Sequence, residues 1–124
     1  MSEAEKLLVD VIKLSKKLLG AEHPDTLRSM ADLAAIYTQQ GRWNEAEKLE
    51  VDVMELRKRL LGAEHPDTLT SMGNLAVIYR NQGRWNEAEK LEIDVMELRK
   101  NLLGAEHPDT LSSMANLALT RKVE

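Results

Sequence analysis

Three short His-Pro-Asp-Thr-Leu segments carry the residue types that nucleophilic catalysis and metal binding require. Each begins with His and has a Ser six residues further on: His23 with Ser29, His65 with Ser71, and His107 with Ser113. A Ser-His-Asp triad needs hydrogen bonds between its members, and zinc needs nitrogen ligands about 2.1 Å away. Either chemistry therefore depends on whether the fold brings such side chains together.

The spacing between these segments is constant because the whole sequence repeats every 42 residues. Gly20, Gly62 and Gly104 keep the same step, and so do Trp43 and Trp85. A fixed period of this length is typical of one supersecondary unit stacked on copies of itself. We predict a single repeat domain over 1–124, with units at about 2–43, 44–85 and 86–124.

Each unit contains a helix that follows the His-Pro-Asp segment, which we call helix A. Pro66 suits the first helical position, and Asp67 lies at the positive end of the helix dipole. Apolar residues three or four apart then form one stripe, at Leu69, Met72, Leu75, Ala76 and Tyr79. Gly83 supplies the left-handed conformation that ends the helix.

A second helix, helix B, begins near Asn86 and has its own apolar seam. Its acidic residues are interpreted as a solvated outer face that complements the helix dipole. The turn between A and B is short, which forces the two helices to be antiparallel. We predict an all-α solenoid of six antiparallel helices in the order B-A-B-A-B-A, at about 3–19, 24–40, 44–61, 66–82, 86–103 and 108–122.

This architecture keeps the candidate catalytic groups apart. Equivalent positions in a solenoid are separated by at least one helix spacing, about 8–10 Å, so the three His cannot converge on one ion. The same separation excludes a triad, and no Gly-x-Ser-x-Gly elbow is present. We predict a protein that is not an enzyme, with no metal and no cofactor, in which each His packs in or caps the turn before helix A.

Composition excludes some classes of binding partner. The formal net charge is −4, so the basic stripe that nucleic-acid binding needs is missing. No apolar run approaches the roughly 20 residues of a membrane span. The chain has no Cys, which fits a reducing compartment. We expect a soluble, cytoplasmic protein whose partner is a protein or peptide, with no nucleic acid and no membrane involved.

The A-turn-B unit resembles the tetratricopeptide repeat, with its small and large residues in the same order. The residues that carry this likeness are Asn74, Leu75, Ala76, Tyr79, Gly83, Trp85 and Ala88. The long 42-residue form resembles the kinesin-light-chain type, and most of all the near-identical arrays of fungal and bacterial NTPase-linked receptor proteins. Two positions depart from the family: Glu50 and Glu92 replace its large aromatic in helix B, and Met replaces its Trp in helix A.

The resemblance implies a right-handed superhelix whose successive A helices form a concave, peptide-binding groove. By alignment, the groove residues are Arg28, Asp32, Ala35, Thr38, Gln39, Thr70, Asn74, Val77, Arg80, Asn81, Ser112 and Asn116. The Asn at position 74 and its equivalent at 116 are expected to hydrogen-bond a peptide backbone, and the Arg at position 80 suits a carboxylate. The two Trp are expected to pack as wedges at the A–B turn.

The two ends of the array suggest a second possibility. Leu8 and Ile12 stand where the next unit has Glu50 and Met54, and they add a second apolar strip to the N-terminal helix. We therefore predict self-association through this helix, for which a homodimer is one arrangement. Thr120 and Arg121 replace Ile78 and Tyr79, which favours an end that meets water. Two functions therefore stay open: an interaction scaffold with a groove, and a designed or excised structural array without a natural ligand, whose activity is folding or self-association.

Overall fold

The computed structural model describes residues 2–123, and this part of the chain folds into six α-helices. They are α1 (Glu3–Leu18), α2 (Pro24–Gln39), α3 (Trp43–Leu61), α4 (Pro66–Asn81), α5 (Trp85–Leu103) and α6 (Pro108–Val123). Each helix packs mainly against the helices before and after it in the chain. The predicted all-α solenoid is confirmed, and every predicted helix end lies within one residue of the observed one. The A helices are α2, α4 and α6, and the B helices are α1, α3 and α5.

The His-Pro-Asp-Thr segments start the A helices through one set of hydrogen bonds. In α4, the backbone N–H of Asp67 donates to Nδ1 of His65 at 3.0 Å. The buried hydroxyl of Thr68 donates to the carbonyl oxygen of Gly62 at 2.8 Å, and Gly62 has the positive φ that ends α3. The same bonds start α2 and α6. Each His was expected either to pack in or to cap the turn, and the structure shows the cap.

The A helices α2 and α4 end in a Schellman motif, in which two backbone N–H groups satisfy the last carbonyl groups. In α2, the N–H of Gly41 donates to the carbonyl of Thr38 at 3.1 Å, and that of Arg42 donates to the carbonyl of Tyr37 at 2.8 Å. The guanidinium of Arg42 then lies over the Tyr37 ring, 4.2 Å from its centroid. The turn after α4 repeats this arrangement.

The arginines of these turns also join successive B helices. Arg42 Nη1 donates to Oε1 of Glu5 at 2.7 Å, and Arg84 Nη1 donates to Oε1 of Glu47 at 2.8 Å. Glu5 is only 1% exposed, so its charge is buried with a partner in place. Removing one partner of a buried ion pair leaves an uncompensated charge, which is costly. Each pair therefore ties one unit to the next.

The core is built from aliphatic side chains that adjacent helices contribute. One cluster joins Ile12 of α1, three residues of α2 and Val53 of α3; the α2 residues are Leu27, Met30 and Leu33. Further along, the buried aliphatic residues include Leu75, Ala76, Ile78, Ala88, Val95 and Leu117. Because each cluster draws only on neighbouring helices, burial of a residue depends on having a neighbour on the correct side.

That dependence is visible at one repeat position. Leu27 and Leu69 are 3% and 2% exposed, whereas Leu111, which occupies the same position in α6, is 51% exposed. Leu27 and Leu69 belong to α2 and α4, each of which packs against a following B helix, and no helix follows α6 in the described residues. Identical side chains thus differ in burial because of their place in the stack.

The structure corrects the prediction for the N-terminal helix. Ile12 is buried in the cluster with α2 and α3, and Leu8 is half-buried against the same cluster. Ile12 therefore packs inside the protein, and Leu8 does so in part. The exposed apolar row of α1 consists of other residues, one helical face away: Leu7, Val11, Leu14 and Leu18.

Three smaller expectations also change. Trp43 is 36% exposed, so it packs only in part as a wedge, and Arg42 stacks on Tyr37 beside it. Thr120 does not meet water; it is fully buried and donates a hydrogen bond to Glu92. The acidic residues of the B helices are not all solvated, because some of their carboxylates lie in the interior. Within residues 2–123, no helix combines the length and the apolar character that crossing a bilayer requires.

Candidate functional site

A cavity of about 250 Å³ lies between the A helices α2 and α4, with α3 beneath it. Its lining includes five residues of the predicted groove, which are Ala35, Thr38, Gln39, Asn74 and Val77. Four further residues complete it, namely Ala31, Ala34, Glu50 and Ile78. We refer to this space as the α2–α4 cavity. Its walls are largely aliphatic, and its polar groups are two amides, one hydroxyl and one carboxyl group.

Glu50 is the unusual member of this lining. Its side chain is 1% exposed, and its Oε1 atom has no hydrogen-bond partner among residues 2–123. Burial raises the pKa of this carboxyl group to about 7, an effect that Arg57, Asn74 and Ser71 oppose only in part. Arg57 is itself held nearby by a hydrogen bond from its Nη1 to the Ser71 hydroxyl at 2.9 Å.

Glu92 is the equivalent carboxyl group in the next unit, and its surroundings differ. It is 3% exposed, and the hydroxyl of Thr120 donates to its Oε1 while Oε2 has no partner in the described part of the chain. Burial raises its pKa, and Thr120 and Arg80 act in the opposite direction. The Nη1 atom of Arg80 lies 3.4 Å from the carbonyl oxygen of Asn116 and 3.5 Å from the Thr120 hydroxyl. A small space of about 10 Å³ beside Glu92 is lined by residues of α4, α5 and α6 that include Gly73, Val95, Arg99 and Asn116.

The remaining predicted groove residues lie outside the α2–α4 cavity. Arg28 is exposed and pairs with Asp25 at 3.6 Å, and the Thr70 hydroxyl donates to the Pro66 carbonyl of its own helix at 3.0 Å. Three others are exposed at separate points along the A helices, namely Asp32, Asn81 and Ser112. The structure thus gathers the middle of the predicted set around one space and leaves its ends apart.

Sequence reasoning missed the burial of Glu50 and Glu92. Helical periodicity assigns acidic residues to the solvated face, and most acids of α3 and α5 do lie there. The signal that could have found these two was their alignment, since they occupy a position where the family has a large, buried aromatic side chain. A carboxyl group at a core position is a candidate for a shifted pKa and for ligand binding.

Larger hollows lie elsewhere on the surface. One of about 550 Å³ is lined by residues of α1, α2 and α3 that include Lys16, Asp52, Glu55 and Arg59. A second of about 360 Å³ repeats it one unit later. Their charged groups are solvated and of both signs, whereas the buried atoms without a partner belong to Glu50 and Glu92. The cavity that contains Glu50 is therefore the stronger candidate site.

The chain belongs to the tetratricopeptide repeat family. The family model matches residues 1–25, 26–67 and 68–109. This family, including the kinesin-light-chain-like members, typically supplies non-enzymatic scaffolds for protein–protein interaction. No curated protein matches the sequence significantly.

Solved structures with the same fold confirm the kinesin-light-chain-like character. The crystal structure of the nearly identical TPR-like repeats described as a kinesin light chain of Podospora anserina is 35% identical, with a TM-score of 0.81. A form of those repeats that carries one substitution gives 0.84 at the same identity, and both alignments cover 97% of this chain and 57% of that one. BtubC (BKLC) from P. vanneervenii is 21% identical with a TM-score of 0.86, covering 95% of this chain and 47% of that one, and it supports the fold alone. The chain thus spans about half the length of these structures.

Proposed function

We propose that this protein is a non-catalytic scaffold that holds a peptide or a partner helix across its A helices, at the α2–α4 cavity. The observation that carries this function is the convergence of five independently aligned groove residues on that one space. Gln39 and Asn74 offer amide groups that both donate and accept, which suits the backbone of an extended peptide. Val77 and the neighbouring Ala residues offer apolar contact to its side chains.

Binding at this site should depend on Asn74. Asn74→Ala is expected to weaken peptide binding about three- to tenfold, because it removes one or two net hydrogen bonds to the ligand backbone. The measurement is a screen on an array of random 12-residue peptides, followed by fluorescence anisotropy on the peptides retained. The helical circular dichroism signal should be unchanged, since Asn74 is exposed.

Asn101→Ala is the matched control, because Asn101 is also exposed but lies near the end of α5, away from the cavity. It is expected to bind the same peptides as the unmodified protein. If the array retains no peptide, or if both variants bind equally well, the groove function is contradicted.

A second candidate function is self-association, and the two ends of the stack favour it. On α1, Leu7, Val11 and Leu14 are exposed, whereas the equivalent residues of α3 pack in the core cluster beside α2. On α6, the exposed Leu111 and Met114 repeat the buried Leu27 and Met30 of α2. The outer face of α1 therefore has the apolar residues with which a B helix packs against a preceding A helix. The outer face of α6 has those with which an A helix packs against a following B helix.

Charge supports the same head-to-tail arrangement. Within the chain, Arg59 of α3 pairs with Glu22, which precedes α2. Lys17 is the equivalent of Arg59, and Glu106 is an equivalent of Glu22. If α6 of one copy packed beside α1 of another, Lys17 and Glu106 would meet as an opposite-charge pair. We therefore assign self-association to the exposed row of α1, in place of Leu8 and Ile12, and to a heterologous contact that can extend into longer stacks.

Light scattering across a concentration series should show a mass that rises above that of a monomer. Leu14→Glu is expected to return the protein to a monomer, because Leu14 is 57% exposed in the free chain and a buried, unpaired charge would be costly in the contact. Leu61→Glu, on an exposed residue of α3, is the control and should still associate. A monomer at every concentration would exclude this candidate.

A further inference from the structure

Two equivalent buried carboxyl groups have different side chains above them. The residue near the end of α4 whose charge acts on Glu92 is Arg80. The equivalent residue of α2 is Thr38, which lines the same cavity as Glu50. Arg80 is long enough to reach the Asn116 carbonyl and the Thr120 hydroxyl, so it brings a positive charge close to Glu92. Arg80 thus acts on Glu92 through its charge, while Oε2 of Glu92 stays without a hydrogen-bond partner among the described residues.

The corresponding position above Glu50 has no cation. Thr38 is short, and its hydroxyl donates to the carbonyl of Ala34 in its own helix at 2.8 Å. The α2–α4 cavity beside Glu50, which Thr38 lines, measures about 250 Å³. Oε1 of Glu50 remains without a partner among the described residues. A buried polar atom of this kind is costly unless something binds it.

We propose that the α2–α4 cavity receives a lysine or arginine side chain of the bound peptide, which takes at Glu50 the place that Arg80 takes at Glu92. This inference rests on the proposed peptide-binding function and names the side chain that the site selects. The small walls formed by Ala31, Ala34 and Ala35 suit the aliphatic stem of such a residue, which long cationic side chains commonly bury. The carboxyl group below then meets the charged end.

Other ligand classes fit this space less well. An acidic side chain would meet a carboxyl group and no cation in the lining of the cavity. A metal ion requires several ligating side chains, and no cluster of three or more His, Cys, Asp or Glu residues occurs within residues 2–123. A purely apolar side chain would fill the walls but would leave Oε1 of Glu50 unpaired. A lysine or arginine side chain can pack its aliphatic stem against the walls and pair its charged end with the carboxyl group.

The protonation of Glu50 gives the site a dependence on pH. Its pKa is about 7, and a bound cation stabilises the ionised form. Affinity for a cationic peptide should therefore rise with pH up to and through 7, and fall below it as the proton competes. The charged group that acts on Glu50 is Arg57 of α3, while α2 and α4 contribute Ala, Thr, Gln, Asn, Val and Ile to the lining.

The test uses two acetylated and amidated pentapeptides, Gly-Ala-Lys-Ala-Gly and the same sequence with norleucine in place of Lys. Binding is followed by chemical-shift titration of the ¹⁵N-labelled protein at pH 8 and pH 6. We expect the Lys peptide to bind about tenfold or more tightly than the norleucine peptide at pH 8, since hydrogen bonds to charged groups are the strong ones. The preference should shrink at pH 6.

Two variants assign the preference to this cavity. Glu50→Gln keeps the shape of the side chain and removes its charge, so it should abolish the preference for Lys. Thr38→Arg should also abolish it, because the chain would then supply its own cation as it does at Glu92. Glu55→Gln, which removes a charge from the exposed face of α3, should retain the full preference.

Each other outcome overturns the cation site. Equal binding of the two peptides would do so while leaving the groove function intact, because the peptide would still be held. Failure of both pentapeptides, alongside Asn74-dependent binding of array peptides, would likewise reject the cation site alone. Retention of the Lys preference in Glu50→Gln would show that the cation binds elsewhere. If the array retains no peptide either, the groove function fails as well.

Discussion

Leu69→Ala is expected to lower the free energy of unfolding by about 2–5 kcal/mol, whereas Leu111→Ala should lower it by less than about 1 kcal/mol. The two residues occupy the same position of successive units, and the six residues that precede each of them are identical. Leu69 lies in α4, which packs against the following helix α5, and is 2% exposed, whereas Leu111 is 51% exposed. Removing the first side chain leaves a cavity in a packed core, while removing the second uncovers a surface that already meets water.

The measurement is urea denaturation of each variant, followed by circular dichroism at the helical minimum and compared with the unmodified protein. The pair provides its own control, since the chemical change is identical and the local sequence differs within one helical turn only at Thr70, which is Ser112 in the next unit, and at Gly73, which is Ala115. Equal losses at the two positions would show that burial does not depend on a following B helix. The linear stack would then be contradicted.

Glu50→Gln should change how stability depends on pH. The carboxyl pKa is about 7 in the folded protein and near its ordinary value of 4.5 in the unfolded chain. Because the folded state binds the proton more tightly, this group stabilises the fold below pH 4.5, and that contribution is lost as pH rises through 7. A difference of this size corresponds to roughly 3 kcal/mol between the two limits.

Glutamine stays neutral at every pH, so the variant should be close to the unmodified protein near pH 5 and more stable than it near pH 8. Urea denaturation at both pH values measures the difference. Glu92 has its pKa raised by the same cause and is unchanged in both proteins, so its contribution cancels. Glu55→Gln is the control, because Glu55 is exposed, and its effect on the free energy of unfolding should be the same at both pH values. If the difference in free energy of unfolding between Glu50→Gln and the unmodified protein is the same at both pH values, Glu50 is already ionised in the folded protein at pH 5. The raised pKa would then be contradicted.

The helices could be predicted from the sequence because their signals are local. Local signals include Pro66, the His65 cap and the glycine that follows each of the first five helices, and each acts within one turn of the chain. Their repetition every 42 residues removes the ambiguity that a single copy would leave. The neighbour-to-neighbour packing then follows, because a short turn between two amphipathic helices leaves one way to bury both apolar stripes.

The faces of α1 were harder to predict because this helix is apolar on two sides. Leu7 and Leu8 are adjacent, and so are Val11 and Ile12, so composition alone does not decide which row packs against α2. The structure shows that Ile12 does. Periodicity identifies that a helix has an apolar side, but the choice between two such sides depends on the angle at which the next helix crosses it.

The candidate site was predictable only in part, for a similar reason. Alignment identified Asn74 and its neighbours, since the A-helix face that points away from the B helices is fixed by helical geometry. The role of Glu50 depends on its depth beneath α2 and α4. The role of Arg80 depends on a contact with Asn116, which lies 36 residues further along the chain. Such contacts between units depend on the spacing and tilt of the helices in the stack, and a local sequence pattern does not predict either.

Amide hydrogen exchange, measured residue by residue under native conditions, tests the linear stack most directly. In a one-dimensional array each unit is stabilised by its neighbours, so local opening is easiest at the ends. Exchange should be slowest in α3 and α4, which are covered on both sides, and progressively faster toward α1 and α6. Protection that is equal in all six helices would instead indicate one globular core opening as a whole, and would contradict the stack on which the cavity and the exposed ends depend.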